Sequence, residues 1–119
     1  MDYPTLQPLV DATMNTKLVP AELLDPVVAY FNPRRVIAFG SVARGEAGPD
    51  SDIDLLVIVD DDTPTDKVTL KAGFELRQSY HHPADVIPAH EATFRRKSTI
   101  ANTLSRSAAL EGVIVYERG

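Results

Sequence analysis

The 119-residue chain has no cysteine, which excludes disulfides and thiolate metal sites and leaves the redox compartment open. It has no apolar run long enough to span a bilayer, and no charged-then-apolar leader of the secretory kind. A cytoplasmic location without membrane contact is therefore the expectation. Basic charge is also short: 12 Lys and Arg stand against 17 Asp and Glu, a net charge of -5. Tight, sequence-independent grip on a nucleic-acid backbone needs a basic stripe, so such a partner is not expected. The acids crowd between Asp50 and Asp66, whereas Arg95, Arg96, Lys97 and Arg106 gather near the end. Taken alone, that asymmetry describes two solvated faces. Apolar residues make up 44%, enough for one domain with a modest core.

Residues 1–19 are weakly patterned and broken by Pro4 and Pro8, with Pro20 following, so a short helix or an arm is expected there. Leu23, Leu24, Val27, Val28 and Phe31 form one helical face, interrupted by Pro26, which either kinks the helix or starts a shorter one capped by Asp25. Val36–Phe39 reads as a short buried strand, and Gly40–Ser41 as a corner opening one or two helical turns to Glu46. Ile53–Val59 is apolar on both faces, the pattern of a central strand. Thr63, with Pro64 at the first helical position, predicts a helix running to about Ser79 that buries Val68, Phe74, Leu76 and either Leu70 or the Lys71 stem. Ala84–Ile87 predicts a strand stopped by Pro88. Helices follow over Glu91–Lys97 and Ser98–Leu110, with Gly112 as a stop, and Val113–Tyr116 predicts an edge strand. No linker marks a second domain. The expected division is a helical arm and helix over 1–33 and one catalytic unit over 34–119.

Asp52 and Asp54 alternate on a strand, so they share a face with backbones roughly 6–7 Å apart. Carboxylates aimed into one volume repel unless a cation lies between them, and a hard divalent ion that also takes phosphate oxygens fits that need. If the strands before Gly40 and after Asp52 run antiparallel, the corner and the acids share one rim. A parallel crossover to the next strand then brings Asp85 to the same rim. Gly40 permits close approach of backbone to ligand, Ser41 and nearby N–H groups can hold phosphate oxygens, and Arg44 can neutralise their charge. Such a layout suits metal-assisted phosphoryl or nucleotidyl transfer. His81, His82 and His90 lack helical metal-ligand spacing and read as solvated turn residues.

Gly40–Ser41, Ala43–Arg44–Gly45, Ser51–Asp52–Ile53–Asp54 and then Asp85 together resemble the signature of the minimal nucleotidyltransferase family within the DNA polymerase β superfamily, over about residues 34–117. The resemblance implies an α/β (α+β) fold, a mixed sheet flanked by helices. It implies two magnesium ions and ATP or another nucleoside triphosphate as donor. Asp52 and Asp54 match the metal-binding pair, Asp85 the third carboxylate, and Gly40, Ser41 and Arg44 the nucleotide-contacting positions. Several members of the family are antitoxins paired with an all-helical HEPN-type toxin, and some attach AMP to it. The expectation is thus an enzyme carrying a nucleoside monophosphate to a hydroxyl on a partner protein. No residues are left over for an acceptor domain, so a HEPN-type partner or a second copy should present the hydroxyl. Two alternatives are a non-catalytic antitoxin acting by occlusion and an antibiotic-modifying enzyme acting on a small molecule.

Overall fold

The computed structural model describes residues 12–14, 18–41, 43, 45 and 52–118. They form β1 (Ala12–Met14), α1 (Ala21–Phe31), β2 (Arg35–Phe39), β3 (Ile53–Val59), α2 (Leu70–Leu76), β4 (Ala84–His90), α3 (Glu91–Lys97), α4 (Leu104–Glu111) and β5 (Val113–Arg118). The sheet order is β1-β5-β2-β3-β4. β2 pairs antiparallel with β3 and with β5, β1 pairs antiparallel with β5, and β3 pairs parallel with β4. The architecture is therefore a mixed sheet flanked by helices.

β3 is buried at every position but Asp54, because both faces are covered. Alternation sends Ile53, Leu55, Val57 and Val59 into a core shared with Leu23, Leu24, Val27 and Phe31 of α1. Leu56 and Ile58 join Ile37, Phe39 and Ala108 on the opposite face, packed against Phe94. α1 runs unbroken through Pro26 and ends at Asn32, whose φ of 45° gives a left-handed cap ahead of Pro33. Neither a shorter helix nor an Asp25 cap is needed.

Four expectations are corrected. The helix foreseen from Thr63 to Ser79 is broken: a 3-10 turn spans Thr65–Lys67, and α2 starts only at Leu70, where Thr69 Oγ1 accepts from Ala72 N at 3.1 Å. Two threonines competed for the cap, and the second won. Leu70 and Phe74 are 68% and 56% exposed, because α2 turns Gly73 inward instead. The strand expected to stop at Pro88 continues to His90. Ile53 N donates to Pro83 O at 3.1 Å, so odd-numbered residues of β4 bond inward and Pro88, with no N–H to offer, faces outward on an edge strand.

The helix expected over Ser98–Leu110 starts at Leu104. Asn102 adopts φ 67°, and Thr103 caps the helix by accepting from Arg106 N. Finally β5 is interior, because Ala12–Met14 form a further strand on its outer side rather than part of a helix. The rest of 1–11, and 15–17, lie outside the described residues.

The acids after β3 are structural. Arg118 Nη2 reaches both Asp60 oxygens at 3.0 Å and Arg34 Nη1 reaches Oδ1 at 3.1 Å. Burial pushes the Asp60 carboxyl up, but these two guanidiniums outweigh it and hold the group below its ordinary 3.8. Asp61 Oδ1 accepts from Ala92 N, capping α3. Glu91, 6% exposed, is held by Arg35 at 3.1 Å and Arg95 at 2.7 Å. These contacts lock β2, β3, α3 and β5 together at one end of the sheet.

A Cβ at Gly73 would collide with the Val86 carbonyl oxygen, so α2 sits directly on the outer edge of β4. Gly73→Ala is expected to destabilise the protein by roughly 1–3 kcal/mol through overpacking, read as a lower urea midpoint with unchanged slope.

Candidate active site

The antiparallel β2–β3 register sets Phe39 opposite Asp54, so the Gly40–Ser41 corner stands beside the carboxylate-bearing end of β3. The parallel β3–β4 register sets Asp54 opposite Asp85. Asp85 belongs to the inward-bonding, odd-numbered set of β4, alongside Asp54 on the same sheet face. Asp52, just ahead of β3, is exposed, Asp54 is half-buried and Asp85 is exposed.

The electrostatics agree with that placement. Burial raises the Asp54 carboxyl above its ordinary 3.8, and the Asp85 charge, the Asp52 charge and a side-chain hydrogen bond with Asp85 push it further up. Asp54 and Asp85 are the tight pair, and Asp52 is coupled to Asp54 through charge. Among the described residues no three acidic or histidine side chains form a ready metal cluster. The donor set nevertheless suits a hard divalent cation: exposed or half-exposed carboxylates that raise one another's proton affinity, with no basic side chain among the described residues acting on Asp54.

Gly40 adopts φ +77°, and a Cβ there would stand 2.6 Å from Asp54 Oδ2. Only glycine lets the corner close against the carboxylate. Ser41 follows in a turn, and Ala43 and Gly45 are also in turns, so the short helix expected after the corner is not formed at these positions. Any N–H groups offered to an anion here belong to a turn. Arg44 lies outside the described residues, as do Val42 and 46–51.

His90 Nε2 lies 2.9 Å from Thr63 O, and His81 and His82 are exposed. A cavity of about 420 Å³ lies farther along β3 and β4, lined by Leu56, Ile87, Thr93, Lys97 and Ser105 among others. Among the described residues its lining includes no carboxylate. A smaller cavity of about 310 Å³ includes Asp85. Its Leu70, Phe74 and Arg77 escaped the sequence reading, because an apolar pair on a helix signals core by default and only the close seat of Gly73 on Val86 fixes which side α2 turns outward.

The model for a nucleotidyltransferase domain matches residues 21–112. Two solved structures share the fold. One is a toxin–antitoxin crystallised with AMP-PNP (TM-score 0.56, 16% identity, covering 83% of this chain and 74% of that one). The other, from Sulfolobus solfataricus, is a protein inferred to be a nucleotidyltransferase (TM-score 0.51, 22% identity, covering 82% and 76%). No curated protein matches by sequence. With a family model spanning most of its length and the corner-and-carboxylate rim at the end of its central strands, the chain belongs to the nucleotidyltransferase domain family, of the minimal, polymerase β-like type.

Proposed function

We propose that this protein transfers a nucleoside monophosphate, AMP from ATP, to a hydroxyl on a partner protein, in the manner of an antitoxin acting on a HEPN-type toxin. The observation that carries the reading is the Asp54–Asp85 pair set beside a glycine corner too tight for any side chain. The toxin–antitoxin nature of one fold neighbour and its AMP-PNP support the choice of partner and donor.

In this reaction the triphosphate would lie along the Gly40–Ser41 turn, and the positive charge of Arg44 would offset that of its oxygens. Asp52, Asp54 and Asp85 would hold magnesium. When bound, the metal neutralises phosphate charge and favours ionisation of the acceptor hydroxyl. Asp85, the more exposed member of the tight pair, takes the acceptor proton. The hydroxyl oxygen then bonds to the α-phosphorus, the bond from that phosphorus to the bridging oxygen breaks, and pyrophosphate departs. With its carboxyl raised, Asp54 binds a proton more readily than an ordinary aspartate, and a bound cation would oppose that.

The decisive experiment incubates protein, partner and magnesium with ATP labelled at the α-phosphate. Label on the partner, abolished in Asp52→Asn/Asp54→Asn with circular dichroism unchanged, is the expected result; absence of label together with no saturable ATP binding sinks the reading. A second reading, occlusion without catalysis, draws on the lack of a ready three-ligand cluster among the described residues. It would be favoured if the double variant still neutralised the partner.

Gly40→Ala should weaken ATP binding at least tenfold and cost roughly 1–3 kcal/mol of stability, since it combines left-handed strain with a clash at Asp54; titration and denaturation measure each. The raised Asp54 carboxyl also predicts a pH effect. In metal-free protein the folded state binds this proton more tightly than the unfolded chain, so stability should increase as pH falls from 7 through the folded value towards 3.8. Asp60 acts oppositely, but only below 3.8, outside that window. Melting temperature should therefore rise on mild acidification, and Asp54→Asn should reduce the rise.

A further inference from the structure

We propose that the cleft between α2 and β4 seats the acceptor, and that its occupant is a polypeptide segment carrying an apolar side chain next to the modified hydroxyl residue. The proposal rests on the transfer reaction above and adds the recognition that the reaction would need.

The cleft, about 310 Å³, is lined by Leu70, Phe74, Arg77, Asp85, Val86 and Ile87. Leu70 and Phe74 are one helical turn apart, so they form a continuous strip, 68% and 56% exposed. Arg77 lies one turn farther, with its guanidinium carbon 5.5 Å from the Phe74 ring centroid. Its Nε is shut off from water yet has no hydrogen-bond partner among the described residues. Asp85 also borders the cleft, and the β3–β4 register sets it opposite Asp54. One carboxylate thus borders both the rim and the cleft.

These parts ask for three things at once. The strip asks for hydrocarbon, the Arg77 guanidinium bordering the cleft for an uncharged or anionic oxygen, and Asp85 for a hydroxyl. A peptide supplies all three within adjacent residues: side chain, main-chain carbonyl, and Ser, Thr or Tyr. A polycationic sugar supplies none of the hydrocarbon and places positive charge beside Arg77, so the cleft disfavours the antibiotic-modifying alternative.

The test uses the full chain, magnesium and α-labelled ATP on an array of short peptides, each with a central Ser, Thr or Tyr and apolar, acidic or basic flanks. Peptides with an apolar neighbour should label about tenfold or more over those with basic flanks, the range one apolar contact in a pocket can contribute. Leu70→Ser and Phe74→Ala should raise the peptide KM by roughly the same factor, since both side chains are exposed and their loss leaves the core intact. Arg77→Lys keeps the charge but loses the planar guanidinium fork, and should lose as much as Arg77→Ala. Affinity for magnesium–ATP, measured in parallel, should stay within about twofold in all four variants.

Labelling indifferent to the flanks, or unchanged in the variants, overturns the cleft assignment. Labelling of no peptide overturns it too, and the parallel ATP titration then separates the two claims: saturable ATP binding leaves the nucleotide reading standing, whereas its absence removes both.

Discussion

Two parallel strands in a register that sets Asp54 against Asp85 are the constraint on which the molecule depends. Backbone pairing holds like charges together that would otherwise drift apart. Everything around the pair serves that imposition. β3 is apolar on both faces and cannot slip by one residue without turning its whole core side to solvent. The crossover through α2 makes the pairing parallel, and Gly40 lets the neighbouring corner close to within touching distance of the same carboxylate.

The two ends of the sheet are opposites in charge logic. At one end carboxylates meet, and among the described residues no basic group acts on Asp54. At the other Asp60 lies between Arg34 and Arg118, and Glu91 between Arg35 and Arg95. An unsatisfied rim is tolerable because the far end is neutralised pair by pair. Nearly buried Glu91 is the member whose partners matter most, since a stranded carboxylate at that depth would be costly.

Much of this was legible in the order of residues. Ile53–Val59 announced a central strand by being apolar on both faces, and the antiparallel-then-parallel geometry followed from one short loop and one long crossover. The Asp54–Asp85 convergence came from strand direction alone. What escaped were choices that depend on tertiary context. Thr63 and Thr69 are both acceptable helix caps, and Pro88 terminates a strand only if its missing N–H would have faced a neighbour. Val113–Tyr116 looked like an edge because the segment that covers it, Ala12–Met14, is too short to show a period. Phe74, with either Leu70 or the Lys71 stem, carries the pattern of core because apolar residues a turn apart usually are; the close seat of Gly73 on Val86 instead leaves Leu70 and Phe74 outward, lining the cleft with Asp85.

The outward-facing Pro88 and the seat of α2 on Val86 have a consequence for how this protein meets other chains. Along β4 the main-chain row that a foreign strand would need is interrupted at one position and roofed at another. Fibril-like stacking and accidental sheet fusion are blocked on the very side that carries the carboxylate rim. A visitor there has to be known by its side chains, which is how the rim can remain open to solvent without becoming sticky.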